Sequence, residues 1–392
     1  MGGLSFMEIV YFIFPLIIAS TVPLTLVAIG ALYSERSGVV NIALEGIMLM
    51  GAFVGSVTIK SLEPTGVGPV LNLFSSLIFG LFIGYLLFIL LQVVLAKVDK
   101  LSIFDNISIR IGAYGVLALI STVGMYFLLT ATSQNMQVAL VGLLIGAIVG
   151  IAFSLFHAFA SINMKANQII SATALNMFAP AFAIFINRTF SANGTQKVTI
   201  QNSYRITKVP ILGDIPIIGD LFFKSAYLSS YLGVFIFVIA VVVLYKTKFG
   251  LRLRSCGENP NAADSLGINI YKIRYSGVMV SGALAGMGGV IFVLSFAANF
   301  NATVSGFGFL ALAVLIFGNW KPKRIIVAAL FFASMRVIAN TYSVIPALKN
   351  LNLKGEIYSM LPYIATLVVL AFVSKNSAAP LAAGEPFDPG KR

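Results

Sequence analysis

The chain reads as an all-α, polytopic transmembrane helical bundle. Hydrophobic residues make up 59% of its 392 residues and charged residues only 10%, and apolar runs longer than the roughly 18 to 20 residues needed to span a bilayer recur from end to end. These runs are continuous and rich in Leu, Ile, Val, Phe and Ala, whereas a β-barrel would show alternating segments of about ten residues. Candidate spans are residues 9–33, 39–59, 70–96, 111–131, 138–162, 169–187, 228–245, 275–298, 305–320, 325–345 and 358–374. The first run begins without a basic region and exceeds a signal-peptide core, so it is expected to remain as an anchor.

Eleven crossings with the 246–274 loop inside put 17 Lys and Arg in inside loops and eight in outside loops, with Arg336 inside a span. Five of the eight outside residues belong to one long loop, 188–227. The bias predicts an outside N-terminus, an inside C-terminal tail, an extracytoplasmic 188–227 loop and a multi-pass protein of the cell membrane. A net charge of +13 would point to nucleic acid in a soluble chain. Here the basic residues flank apolar runs, where they set orientation and meet anionic lipid, so membrane lipid and not nucleic acid is the expected partner of this charge. One Cys and one His give neither a disulfide framework nor a metal cluster. Cys256 is expected to be an inert loop residue and His157 a polar residue near a span end.

Two segments fit a full crossing poorly. Residues 305–320 would rise only about 24 Å against a core of about 30 Å, and Gly306, Gly308 and Gly318 punctuate them. Residues 39–59 carry Asn41 and Glu45 behind a turn-like Arg36-Ser37-Gly38. Either is broken or re-entrant, and irregular backbone at membrane depth is tolerated only inside protein or along a wet cavity. Their matching glycine-flanked layout points to an internal inverted repeat. Glycines four residues apart, including Gly51 and Gly55, Gly80 and Gly84, Gly146 and Gly150, and Gly282 with Gly286, read as packing seams.

Polar groups within these spans mark a candidate substrate path. A helix through 39–59 would place Asn41, Glu45, Met48 and Ala52 on one face, and a carboxylate at that depth must face protein or water. Glu45 then either lines a path or is a buried carboxyl bonded between helices. Gln168 and Asn176 share a face two turns apart. Such amides suit an uncharged polar solute, and they equally serve as bonds between helices. Arg336, with Asn340 one turn on, either snorkels, pairs with a carboxylate or lines a cavity.

The polar stretch 246–274 holds six of the 26 Lys and Arg residues. Within it Asn259 is a helix cap, Pro260 fits the first helical position, Ala262 and Ala263 favour helix and Gly267 ends it. The short helix so defined has little apolar surface of its own to bury. It is either an ordinary surface loop or a docking element for a partner protein.

Several stretches resemble the permease subunits of bacterial ATP-binding-cassette importers for nucleosides, the type served by basic-membrane-protein lipoproteins. They are ERSGVVNIALEGIMLMGAF (35–53), ANQIISATALN (166–176), and FGLRLRSCGENPNAADSLGIN with SGALAGMGG (249–289). The segments GFGFLALAVLIFGNWKP (306–322) and GEPFDPGKR (384–392) are similar to the second of two paired, non-identical permease subunits. Related permeases carry simple sugars or branched-chain amino acids. The resemblance makes the 246–274 loop a cytoplasmic coupling loop, with Arg252, Arg254, Glu258, Asn259, Pro260, Ala262, Ala263, Asp264 and Gly267 as coupling residues. Asn stands where the family's coupling-helix signature begins with Glu. Against the family, residues 60–137 look like a two-helix insertion into a single permease domain, 1–392.

The expected function is therefore inward movement of a nucleoside-like solute by alternating access. The resemblance implies three kinds of partner: separate ATPase subunits, a second, non-identical permease and an extracytoplasmic binding lipoprotein. No phosphate-binding GxxxxGK[ST] loop occurs in the chain, so it is expected to be a conduit that binds no cofactor, with ATP hydrolysed by its partners. The rival class is an ion- or proton-coupled secondary transporter using Glu45.

Overall fold

A computed structural model describes residues 6–96, 107–131, 133–190, 197–202, 204–209, 212–296, 299–351, 353–373 and 379–388. Helices coincide with each of the predicted spans: α1 (Phe6–Arg36), α2 (Leu44–Leu62), α3 (Pro69–Ala96), α4 (Ile107–Ala131), α5 (Gln134–Ala158), α6 (Gln168–Phe190), α7 (Leu228–Lys246), α10 (Ile270–Phe296), α11 (Phe307–Phe317), α12 (Pro322–Asn340) and α15 (Leu361–Val373). Short helices α8 (Lys248–Glu258) and α9 (Pro260–Ser265) lie between α7 and α10, and α13 (Pro346–Lys349) and α14 (Gly355–Ser359) precede α15. Among the described residues, six helices are long and apolar enough to cross a membrane.

One of the predicted segments is shorter than a span and another starts later than expected. Helix α11 has 11 residues, a rise of about 16 Å, half the hydrocarbon core. It starts after Gly306, whose φ of +78° is left-handed. Helix α2 begins only at Leu44, because residues 37–43 form a turn followed by irregular chain. The expected shared helical face is corrected accordingly: Asn41 precedes the helix, and its Oδ1 instead accepts the N–H of Ala43 at 3.1 Å. An amide that bonds the backbone two residues on stabilises a turn in competition with helix.

The chain divides into two compact units, Met1–Val57 with Ile145–Arg392, and Thr58–Leu144. The expected two-helix insertion, 60–137, lies within the second. There α3 and α4 pair antiparallel along small residues: a Cβ added at Gly80 would lie 2.3 Å from Thr122 Cα, and one at Gly84 2.5 Å from Ala118 Cα. The unit's two ends meet, since Gly66 abuts the Gln134 side chain. Removal of residues 66–134 is therefore expected to leave the larger unit membrane-inserted and able to bind partners. Membrane fractionation and size-exclusion chromatography check this, and loss of insertion would overturn it.

In the larger unit α1 is central, packed against α7, α10, α11 and α12. Its residues from Ala19 to Glu35 are all buried, which is why this helix is apolar around its whole circumference. The glycine seams fall where backbones touch: a Cβ on Gly286 would sit 2.0 Å from Gly146 O, and one on Gly282 2.4 Å from Gly150 O. The two ends of the unit are distinct. At one, Arg36 meets Glu258 at 2.7 Å and the Trp320 indole donates to Glu35. At the other, Phe14 meets Phe222 edge-on at 5.0 Å, and β1 (Val198–Thr199) pairs antiparallel with β4 (Asn299–Phe300). In the expected 188–227 loop a second antiparallel pair, β2 (Arg205–Lys208) with β3 (Lys224–Tyr227), forms a hairpin. Its ion pairs are Lys208–Asp214 and Lys224–Asp220. Pro210 and Ile211, between these strands, lie outside the described residues.

Candidate functional site

The irregular segment 37–43 carries backbone groups that no helix satisfies, and at membrane depth each needs a partner. Side chains of α5 and α6 supply several of them. Gln168 Oε1, at the start of α6, accepts the N–H of Val40 at 2.7 Å. The carbonyl of Val40 lies 3.0 Å from His157 Nε2 and Ser171 Oγ lies 3.2 Å from Nδ1. Because a carbonyl only accepts, the proton sits on Nε2 and Nδ1 receives the Ser171 hydroxyl. Asn176 Nδ2 donates to Ile42 O at 2.9 Å while its Oδ1 accepts the N–H of Gly46 at 2.8 Å, so α6 caps the first turn of α2 from outside. Asn41 Nδ2 donates to Ser281 Oγ on α10 at 3.1 Å. His157 is thus a fully buried clamp on the broken chain.

Glu45 ties this segment to the second short helix. Its carboxylate accepts from the N–H groups of Gly306 at 2.9 Å, Gly308 at 2.7 Å and Phe309 at 3.4 Å. The starts of α2 and α11 therefore face one another across one acid, and both helix dipoles favour negative charge there. The approach is close, since a Cβ at Gly308 would lie 2.4 Å from Glu45 Cα. Arg336 Nη2 donates to Ser305 O at 2.7 Å, its guanidinium stacks 4.3 Å over the Phe307 ring, and its charge acts on Glu45.

Of the candidate path residues, Asn41, Gln168 and Asn176 bond the broken backbone. Met48 is fully buried, and half-buried Glu45 caps α11. The Gln168 Nε2 amide is a buried donor without a partner among the described residues. Met177 and Phe178 of α6 and Phe309 of α11 stay exposed nearby. Such a node, built from two interrupted helices, can offer neutral donors and acceptors to an uncharged solute.

The polar loop is more ordered than its sequence implied. Residues 248–258, expected as loop, form α8, whose Thr247 cap accepts the N–H of Gly250 at 3.1 Å. Cys256, expected in a loop, is a fully buried α8 residue, and burial pushes its thiol up to about 11. The buried positions Leu253, Cys256 and Gly257 follow helical spacing, and that period after a Thr cap was the available signal.

Helix α9 forms where expected. Asn259 Oδ1 accepts the N–H of Ala262 at 3.0 Å and Pro260 takes the first position. Gly267, at φ +75°, ends the helix, with Ile268 N–H returning to Ala263 O at 3.1 Å and Gly267 N–H to Asp264 O at 2.8 Å.

The remaining coupling residues divide by face. Ala263 is buried, whereas Asn261, Ala262, Ser265 and Leu266 are exposed, Leu266 to 81%. Arg252 is exposed, and Asp264 half-buried. Arg254 stacks 4.9 Å over the Tyr245 ring and Glu258 pairs with Arg36.

Comparison with known proteins places this geometry in a family. The chain is 35% identical over 363 residues, 92% of each chain, to the nucleoside ABC transporter permease protein NupC of Lactococcus lactis subsp. cremoris. It is 35% identical over 391 residues, 99% of this chain and 100% of the relative, to the guanosine ABC transporter permease protein NupQ of Bacillus subtilis. A putative glucose ABC transporter permease protein, TsgC13 of Haloferax volcanii, is 28% identical over 265 residues, 63% of this chain and 78% of its own. No solved structure matches the chain. The family described as branched-chain amino acid transport system / permease component matches residues 14–103 and 106–370. A bundle of spanning helices with two interrupted ones at its polar node, matched over nearly its whole length, belongs to that permease family.

Proposed function

We propose that this chain is the membrane permease of an ATP-driven importer that carries a nucleoside inward across the bacterial cell membrane. The observation that carries the reading is α9: a capped helix at the end of the bundle presents Ala262 and Leu266 outward, on a chain without a phosphate-binding loop of its own. ATPase subunits grip this helix, and their closure tilts the bundle so that the node around Glu45 opens alternately to each side. The loops with the greater basic charge gather at the α9 end, which supports its cytoplasmic placement. A second permease completes the pathway, as the naming of both NupB and NupC in Lactococcus lactis supports, and a binding lipoprotein delivers solute to the 188–227 loop. The full-length likeness to guanosine and nucleoside permeases favours a nucleoside over a sugar or amino acid. Ion coupling through Glu45 has less support, because its oxygens accept three backbone N–H groups.

Reconstitution with the cognate ATPase, second permease and lipoprotein tests the reading. Labelled guanosine should accumulate in proteoliposomes only with ATP and only with a hydrolysis-competent ATPase. Uptake driven by an ion gradient with this chain alone would overturn it.

A further inference from the structure

Residues 382–388 cross the end of the bundle that carries α8 and α9, and they touch several of its connectors. Ala382 N–H donates to Gly257 O at 2.9 Å and Gly384 N–H to Gly38 O at 3.1 Å. Glu385 O accepts from Arg274 Nη1 at 2.8 Å, and Asp388 pairs with Lys165 at 3.6 Å. Phe387, 7% exposed, completes a buried cluster with Cys256 of α8, Ala263 of α9 and Ile270 of α10, and its ring meets Tyr271 edge-on at 5.9 Å.

This path leads from the coupling helix to the polar node. Gly38, which receives Gly384, lies two residues before Val40, the residue clamped by Gln168 and His157. A Cβ on Gly384 would touch the Val40 side chain at 3.5 Å. The other link from this loop to α1 includes the Arg36–Glu258 pair, whose Glu258 side chain is 46% exposed, and an exposed ion pair holds little. The tail's link to α9 is buried and apolar at Phe387, and its link to the 37–43 segment is the main-chain hydrogen bond from Gly384 to Gly38.

We infer that residues 382–388 form a transmission strap that fastens α9 to the unwound 37–43 segment, with Phe387 as its positioning residue. When ATPase closure displaces α9, the strap carries the displacement to the residues that hold the node together. The inference rests on the importer reading and goes beyond it, since it assigns the terminal segment a part in coupling. Arg274 adds to the fastening: it is 2% exposed, and its bond to Glu385 O is its hydrogen bond to the strap.

The chain's one cysteine lies under Phe387 and reports whether the strap is seated. Burial and a raised thiol pKa keep Cys256 slow towards maleimide at about pH 7.5. In the reconstituted importer, Phe387→Ala should speed Cys256 labelling about ten-fold or more. ATP hydrolysis should persist, and guanosine moved per ATP should fall about ten-fold. Phe387→Leu, which keeps the apolar plug, should restore most of the ratio.

A purely structural tail would lower yield and thermal midpoint and leave the transport-to-hydrolysis ratio unchanged; that result, with Cys256 labelled faster, overturns the inference. If Cys256 stays protected in Phe387→Ala, the strap is still seated and deletion of residues 381–392 decides: an unchanged ratio again overturns it, and a fallen ratio supports it. Absence of ATP-driven uptake in the parent importer would count against the importer reading instead, and Cys256 labelling would still show whether the tail is seated.

Discussion

Replacement of Glu45 by Ala should abolish uptake and destabilise the protein by about 2–4 kcal/mol, because a half-buried acid that serves as acceptor for the backbone donors of α11 would be removed. Its oxygens accept the N–H groups of Gly306, Gly308 and Phe309. Without them the first turn of α11 would be left with orphan donors, each costing about 1–3 kcal/mol where water cannot reach. Arg336 would also lose the negative charge it faces. Glu45→Gln separates the two roles of the acid. It keeps one acceptor oxygen for α11, so most of the fold should survive, but it puts an NH₂ where a second acceptor stood. Uptake should fall well beyond the loss of stability if the charge itself takes part in transport. Thermal unfolding in detergent and uptake in proteoliposomes measure the two effects. Unaltered uptake kinetics in Glu45→Gln would return Glu45 to a purely capping role.

Leu266→Asp should leave folding untouched and cut uptake about ten-fold or more, the range of a modest coupling energy. Leu266 is 81% exposed at the end of α9, so the bundle gives up almost no contact when it changes. An acidic side chain there would meet the ATPase with an unpaired charge in place of an apolar contact. Ala263 makes a poorer test. It faces inward against Cys256, Ile270 and Phe387, and a charged residue there would disturb the bundle before it disturbed any partner. An unchanged thermal midpoint with lost ATP-dependent uptake and weaker ATPase copurification is the expected pattern. Normal coupled uptake in Leu266→Asp would count against α9 as the docking element.

The sequence was informative wherever a feature is local. Span positions follow from continuous apolar runs, and α9 from Asn259, Pro260 and Gly267, whose effects need no distant partner. The irregularities in the segments 39–59 and 305–320 were legible as trouble, from Asn41, Glu45 and the glycines. Their resolution was not, because it depends on pairings across the fold: Val40 with Gln168 and His157, Glu45 with Gly308. Sequence spacing left Asn41 and Asn176 open to either solute binding or bonds within the bundle. Both spend their amides on the broken backbone or on its neighbour Ser281, a use that hydropathy cannot distinguish from solute binding. Helix α8 escaped notice because its charged outer face hides a narrow apolar stripe, and the tail because nothing in its composition names a distant partner for Phe387.

The contact between Gly146, Gly150, Gly282 and Gly286 limits how the protein can open. Main chains pressed together with no side chains between them have no rotamers to change, and sliding by one turn would drive bulkier neighbours such as Val278 or Val290 into carbonyl oxygens. The portions of α5 and α10 that meet there must travel as one piece. Any widening of the conduit has to run along seams lined by larger, more adaptable residues.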